Sequence, residues 1–295
     1  MSWRKLGIVA RFELAEALRS RLIVVVLAVY GAGAGFGALA FSKTLDAAEQ
    51  ALESQLEAGL NAHDLSVQEL RRQALPQLLS HVVEDRELRD ELMRIDPLAL
   101  FYGFMALQLV APLVLILSGG AHATDLGRGA ARFVLTRCDR LSWALGKLLG
   151  HAALLGLGLL VGAMVTAVVA GARSQLELAS LFWLFRAALR AFVYGLAYLG
   201  IFVGLGLGVR LPARTRALSV LVWIGLALGH SLCRAEWFQA RLPFASALAW
   251  CFPAEYEWRL WSPNLLLSCA AMLALMAIGA LGFGAGHALF RRSDA

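Results

Sequence analysis

Six apolar runs of about 20 residues dominate this sequence and constrain its fold more than any other feature. A helix needs about 20 mostly apolar residues to cross the hydrocarbon core of a bilayer. The chain of 295 residues is 59% hydrophobic and 16% charged, and its mean hydropathy is +0.67. A water-soluble domain carries about a quarter charged residues. We therefore predict an all-α, polytopic membrane protein with six transmembrane helices, built as a single domain over residues 1–295.

The first of these runs follows a basic head and could also be interpreted as a signal peptide. The tripeptide Ala38-Leu39-Ala40 resembles a cleavage site. However, the apolar region of a signal peptide is only about 7–15 residues long. The first run is longer, so we interpret it as a retained span. The six predicted spans are residues 22–41, 98–117, 143–170, 191–209, 217–232 and 265–289.

Basic residues are distributed unevenly between the two sides of the predicted membrane. With the N-terminus inside, the cytoplasmic pieces hold 15 Lys and Arg residues, whereas the two short outer loops hold six. Short cytoplasmic loops are enriched in Lys and Arg. The asymmetry predicts that both termini are cytoplasmic. It also assigns the net charge of +6 to membrane topology rather than to nucleic acid.

Two further segments have their own helical patterns. Residues 1–20 predict an amphipathic helix at the membrane interface, because an uncharged arc unites several of its residues. Residues 42–97 hold 12 of the 21 acidic residues, with leucines at helical spacing. This pattern predicts a helical extracytoplasmic insert, broken near Asn61–Asp64, although a solvated spacer is the alternative. The residues of the uncharged arc are Trp3, Leu6, Ala10, Leu14, Ala17 and Leu18.

The segment 234–264 is rich in aromatic residues and is interrupted by three prolines. Aromatic side chains collect at the headgroup level of membranes. The segment is too irregular to span, so we predict an interfacial or re-entrant segment between spans five and six.

The sequence predicts no catalytic residues, no cofactor site and no metal site within this chain. The four cysteines and six histidines lack metal-ligand spacing, and Gly146-Lys147 lacks the spacing of a phosphate-binding loop. Asp and Glu are absent from the cores of the predicted spans, which argues against an ion-coupled carrier. Glycines are abundant there, and they indicate either tight packing within one subunit or a dimer seam with sliding helices.

The most informative stretch is the basic and partly apolar loop 119–142, between spans two and three. An exposed loop does not explain the apolar residues Phe133, Val134 and Leu135 unless something covers them. The stretch resembles the signature of permease subunits of ABC exporters of type-2 architecture. Asp125 stands where that signature usually has Glu, and Cys138 stands where it usually has Pro. The matching residues are Asp125, Gly129, Arg132, Leu135, Thr136, Arg137, Arg140, Gly146 and Lys147.

The resemblance extends over nearly the whole chain. The chain is similar in particular to the nitrous-oxide-reductase maturation permease subgroup. This resemblance implies a homodimer that forms a translocation path. The heavy use of Ala, Leu, Gly and Arg separately suggests a bacterial protein, which would lie in the inner membrane. The resemblance also implies a separate ABC-type ATPase subunit, which binds ATP and Mg²⁺ and docks on the cytoplasmic loop. The coupling residues that it implies are Asp125, Gly129, Arg132, Phe133, Leu135, Thr136, Arg137, Arg140 and Lys147.

Two functions of other classes stay open at this stage. The chain could be a membrane-embedded enzyme or maturation factor that uses His122, His151 or His230. It could also be a scaffold that recruits an extracytoplasmic partner through residues 42–97. The apolar spans carry no signature of a particular substrate.

Overall fold

The fold is described here from a computed structural model. It describes residues 2–59, 92, 93, 95–172, 178–209, 211–242 and 244–292.

Every regular element in these residues is helical, and six helices are long and apolar enough to cross a membrane. The prediction of an all-α membrane protein with six spans is confirmed at this level. The six long helices are α2 (Arg21–Gly59), α3 (Pro97–Ser118), α6 (Arg140–Ala172), α7 (Leu178–Gly208), α8 (Pro212–Arg234) and α11 (Leu265–Arg292). The shorter α-helices are α1 (Trp3–Arg19), α4 (Ala121–Gly127), α5 (Ala130–Leu135), α9 (Glu236–Arg241) and α10 (Ala245–Ala249). Two 3₁₀ turns, Pro253–Tyr256 and Trp258–Trp261, precede α11.

Helix α7 begins at Leu178, whereas the sequence predicted a fourth span from residue 191. The predicted span began only at residue 191 because Arg186 and Arg190 interrupt the apolar pattern before it. In the structure both arginines lie inside α7, and each guanidinium lies over an indole ring. Arg190 is only 2% exposed and lies 4.5 Å from the centroid of Trp261, while Arg186 lies 4.9 Å from that of Trp183. Such cation–π contacts offset part of the cost of burying the charge.

Helix α2 continues beyond the predicted end of the first span and reaches Gly59 without interruption. The first part of the predicted insert is therefore a continuation of the spanning helix. The predicted break near Asn61–Asp64 and the second arm of the insert lie outside the described residues.

Helix α7 is the centre of the bundle, and it packs most closely against α11. The contact is made by glycines on both helices, so that the two backbones touch. A Cβ atom on Gly282 would lie 2.9 Å from Cα of Ile201, and one on Gly279 would lie 2.7 Å from the carbonyl oxygen of Leu196. Within this pair of helices, the glycines therefore serve tight packing inside one subunit.

The first described helix, α1, and the end of α11 lie at the same end of the bundle, which we call the basic end. Arg140, at the start of α6, donates hydrogen bonds to the carbonyls of Phe290 and Arg291 at the end of α11, both at 3.0 Å. Arg216, near the start of α8, donates to the carbonyl of Gly119 at 2.9 Å. Helix α1 packs against the first half of α6. The cytoplasmic location of this end stays a prediction.

Candidate functional site

Two short helices, α4 and α5, connect the long helices α3 and α6 at the basic end. Each begins after a glycine in the left-handed conformation, Gly120 with φ of 105° and Gly129 with φ of 73°. A side chain in this conformation is strained, so glycine is the natural residue at both turns. The loop that the sequence predicted at 119–142 is thus an ordered helical element with two tight turns.

Helix α5 has an anchored face and an exposed face. On the anchored face, Ala131 is buried and Leu135 packs against the core of the bundle. On the other face, Phe133 is 81% exposed and Val134 is 40% exposed. The hydroxyl of Thr136 donates to the carbonyl of Phe133 at 2.7 Å and closes the end of the helix.

The exposed face of α5 is flanked by positive charge. Along the chain, the exposed Arg128 precedes Phe133 and Val134, and the exposed Arg137 follows them. We call these four residues the docking tip. A fixed, exposed apolar surface rimmed by cations is typical of a protein or membrane contact.

Lys147 lies on the inner side of this element and not at its surface. It is 5% exposed, and its Nζ atom lies 2.5 Å from Oε2 of Glu13 and 2.7 Å from Oδ2 of Asp125. The ammonium group therefore connects α1, α4 and α6. Glu13 also faces His151, with 3.4 Å between Oε1 and Nε2. Burial raises the pKa of the Glu13 carboxyl, whereas the adjacent Lys147 acts in the opposite direction.

The start of α6 is fixed by Asp139, and Arg140 joins it to α11. The Asp139 carboxylate accepts hydrogen bonds from the backbone N–H of Ser142 at 3.1 Å and from its hydroxyl at 2.9 Å. The hydroxyl and N–H donors of Ser142 lower the pKa of this carboxyl, as expected for a helix cap. The guanidinium of Arg140 lies 5.3 Å from the ring centroid of Phe290, and its donors are used by the last turn of α11.

The predicted coupling residues therefore fall into two groups. Phe133, Thr136 and Arg137 are exposed and able to contact a partner. The others hold the element in place: Asp125, Gly129, Leu135, Arg140 and Lys147. Any effect of Lys147 on a partner must pass through Asp125 and Glu13. The side chain of Arg132 lies outside the described part of the structure.

The histidines of the alternative hypothesis divide between the two ends of the bundle. His122 and His151 are both buried at the basic end, with 5.6 Å between their ring centroids. His230 instead contacts Glu255 at the opposite end, at 3.2 Å. The described residues contain no group of three or more His, Cys, Asp or Glu arranged to hold a metal ion. An enzymatic role for these histidines stays a prediction.

Sequence reasoning missed the role of Glu13, which is not among the residues of the predicted uncharged arc of α1. In the structure Glu13 and Leu6 are both buried against α6, with Gly146 and Gly150 allowing close approach. The sequence contained a signal for this contact. Glu13 comes seven residues after Leu6, so the two share one face of a helix, and Lys147 interrupts the apolar run of the third predicted span. Trp3, from the predicted apolar arc, is 77% exposed. Whether this side of α1 lies in a membrane interface stays a prediction.

No family model matches the chain, and no curated protein matches it.

Proposed function

We propose that this chain is the membrane subunit of an ATP-binding-cassette transporter and that the docking tip binds a separate ATPase subunit. The observation that carries the proposal is the exposed Phe133, held on a short ordered helix between two long helices and flanked by arginines. In this proposal the docking tip faces the cytoplasm of a bacterial cell, in the inner membrane. The ATPase subunit binds ATP and Mg²⁺, and this chain contributes no residues to hydrolysis.

The connections behind the docking tip suit a coupling role. Leu135 packs α5 against the bundle. Lys147, on α6, forms ion pairs with Asp125 on α4 and with Glu13 on α1. A displacement of the docking tip would therefore be transmitted to a long helix and to the N-terminal helix together. Two copies of the chain would form the translocation path, and their relative motion would open it to either side.

Phe133→Ala should remove the centre of the contact, and Arg137→Glu should reverse the charge at its rim. We expect affinity for the ATPase subunit to fall about 30-fold or more, because an interface anchor contributes about 2 kcal/mol or more. The measurement is titration of the ATPase subunit against the chain in nanodiscs, with ATPase turnover recorded in parallel.

The chain offers matched controls at the opposite end of the bundle. Phe244 is 64% exposed and Arg241 is exposed, so Phe244→Ala and Arg241→Glu make the same chemical changes away from the docking tip. These controls should bind the ATPase subunit like the unmodified chain. Unchanged affinity in the Phe133 and Arg137 variants would contradict the coupling role.

A further inference from the structure

A polar side chain occupies the middle of one of the long apolar helices. Gln108 is the twelfth of the 22 residues of α3, so it lies roughly 16 Å along the axis from the first residue. Its side chain is exposed, and the exposed residues Phe104 and Leu109 lie beside it. In a helix that crosses a membrane, this position is at the centre of the bilayer.

The partner of Gln108 is a carboxylate delivered by a segment outside the six long helices. The amide Nε2 of Gln108 donates to Oε1 of Glu257 at 2.7 Å. Glu257 lies between the two 3₁₀ turns, and Trp261 at the end of the second turn packs against Gly103 of α3. The segment thus lies along α3 from Gly103, in the first third of the helix, to Gln108 at its middle. Tyr194 and Tyr198 of α7 are within electrostatic reach of Glu257.

Glu255, two residues earlier in the same segment, is a carboxylate whose charge is balanced by basic side chains. It is held by Arg234, by Arg259 at 2.9 Å and by His230 at 3.2 Å. Among the described residues, no basic side chain forms an ion pair with Glu257 or faces it. Within the described part of the chain, the Glu257 carboxylate therefore has the amide of Gln108 as a donor but no cationic partner.

An uncompensated carboxylate and an exposed amide at bilayer depth are costly against lipid tails. Such groups face a water-filled path or a ligand that completes them. Gln108 satisfies one carboxylate oxygen of Glu257 and leaves the other as an acceptor. The missing element is a positive charge.

We propose that Glu257, oriented by Gln108, is an intramembrane binding site for a cationic group. The inference rests on the proposed transport function only in assigning this group to the substrate, which would then be a cation or a molecule with a cationic group. The site itself belongs to the chain and requires no ATPase.

The test is binding of radiolabelled tetraphenylphosphonium to the purified chain in nanodiscs, with empty nanodiscs as the background. Glu257→Gln keeps the shape and removes the charge, and it should weaken binding at least about tenfold, as expected for a charge-assisted contact. Glu236→Gln removes an exposed carboxylate from α9 and should leave binding unchanged. Absent binding to the unmodified chain, or equal binding to Glu257→Gln, would overturn the proposal.

A competition series separates the two sources of positive charge. Displacement of the probe by Na⁺, but not by N-methylglucamine at the same ionic strength, assigns the site to an inorganic cation. Retention of the probe in Na⁺ assigns it to an organic cation.

Thermal stability shows that the variant is folded and adds an independent criterion. Glu257→Gln should raise the melting temperature, because it removes a half-buried carboxylate charge that has no cationic partner among the described residues. A lower melting temperature would mean that the carboxylate serves the fold, and it would overturn the proposal. Neither measurement involves the docking tip, so failure of this site and failure of the ATPase coupling are distinguishable.

Discussion

Replacing Lys147 by methionine should lower the free energy of unfolding by about 3–5 kcal/mol, which is the usual cost of removing one member of a buried ion pair. The Lys147 ammonium is the cation shared by Glu13 and Asp125. Without it, the buried Glu13 carboxylate faces the His151 ring but no lysine or arginine among the described residues. The measurement is equilibrium unfolding in mixed micelles, followed by helical circular dichroism.

The double variant identifies the origin of this loss. Adding Glu13→Gln to Lys147→Met removes the stranded charge and should restore most of the stability, because neutralising both members of a buried pair is close to neutral. Lys5→Met, at an exposed position of α1, is the matched control and should change stability by no more than about 0.5 kcal/mol. Equal losses in the single and double variants would show that packing, not charge, dominates this contact.

The same buried ammonium connects stability with the proposed coupling. Glu13 is on α1, Asp125 is on α4 and Lys147 is on α6, so one cation fixes three elements at the basic end. Partial rescue by the double variant should restore folding but not the link between α4 and α6. In that variant, ATPase binding at the docking tip should persist while substrate-stimulated turnover decreases. This difference distinguishes transmission from docking.

The six long helices were predictable because apolar length is a property of consecutive residues. The boundary of α7 was not, since the cost of Arg190 depends on Trp261, which is 71 residues away in the chain and adjacent only in the fold. Glu257 shows the same limit more strongly. The spans contain no central carboxylate in sequence, yet a non-spanning segment carries one to the middle of α3.

The signature residues were found from sequence, but their division into two groups was not. Lys147 and Arg137 are both basic residues near the same turn, and a linear pattern treats them alike. The structure buries Lys147 between two carboxylates and leaves Arg137 exposed. The position of α1 contributes to this difference, because it supplies Glu13 from 134 residues away in the chain. A sequence motif therefore located the element but did not separate its contact residues from its supports.

Introducing a side chain into the α7–α11 contact should be among the most destabilising changes in the chain. A Cβ atom at Gly286 would overlap the carbonyl group of Gly204, which is backbone and has no alternative rotamer. Gly286→Val should therefore push the two helices apart and cost about 3 kcal/mol or more, at the upper end of overpacking effects. Unfolding in mixed micelles measures the loss.

Gly284, two residues earlier on the same helix, is the matched control. A Cβ atom there would meet nothing within 4 Å, so Gly284→Val should change stability by no more than about 0.5 kcal/mol. A large loss at Gly286 with none at Gly284 would show that α7 and α11 are joined backbone to backbone and move as one body. Similar values for the two variants would mean that the helices separate easily, and the conformational change of the proposed transporter could then occur between them. The comparison thus decides whether this seam is a fixed part of the subunit or a moving one.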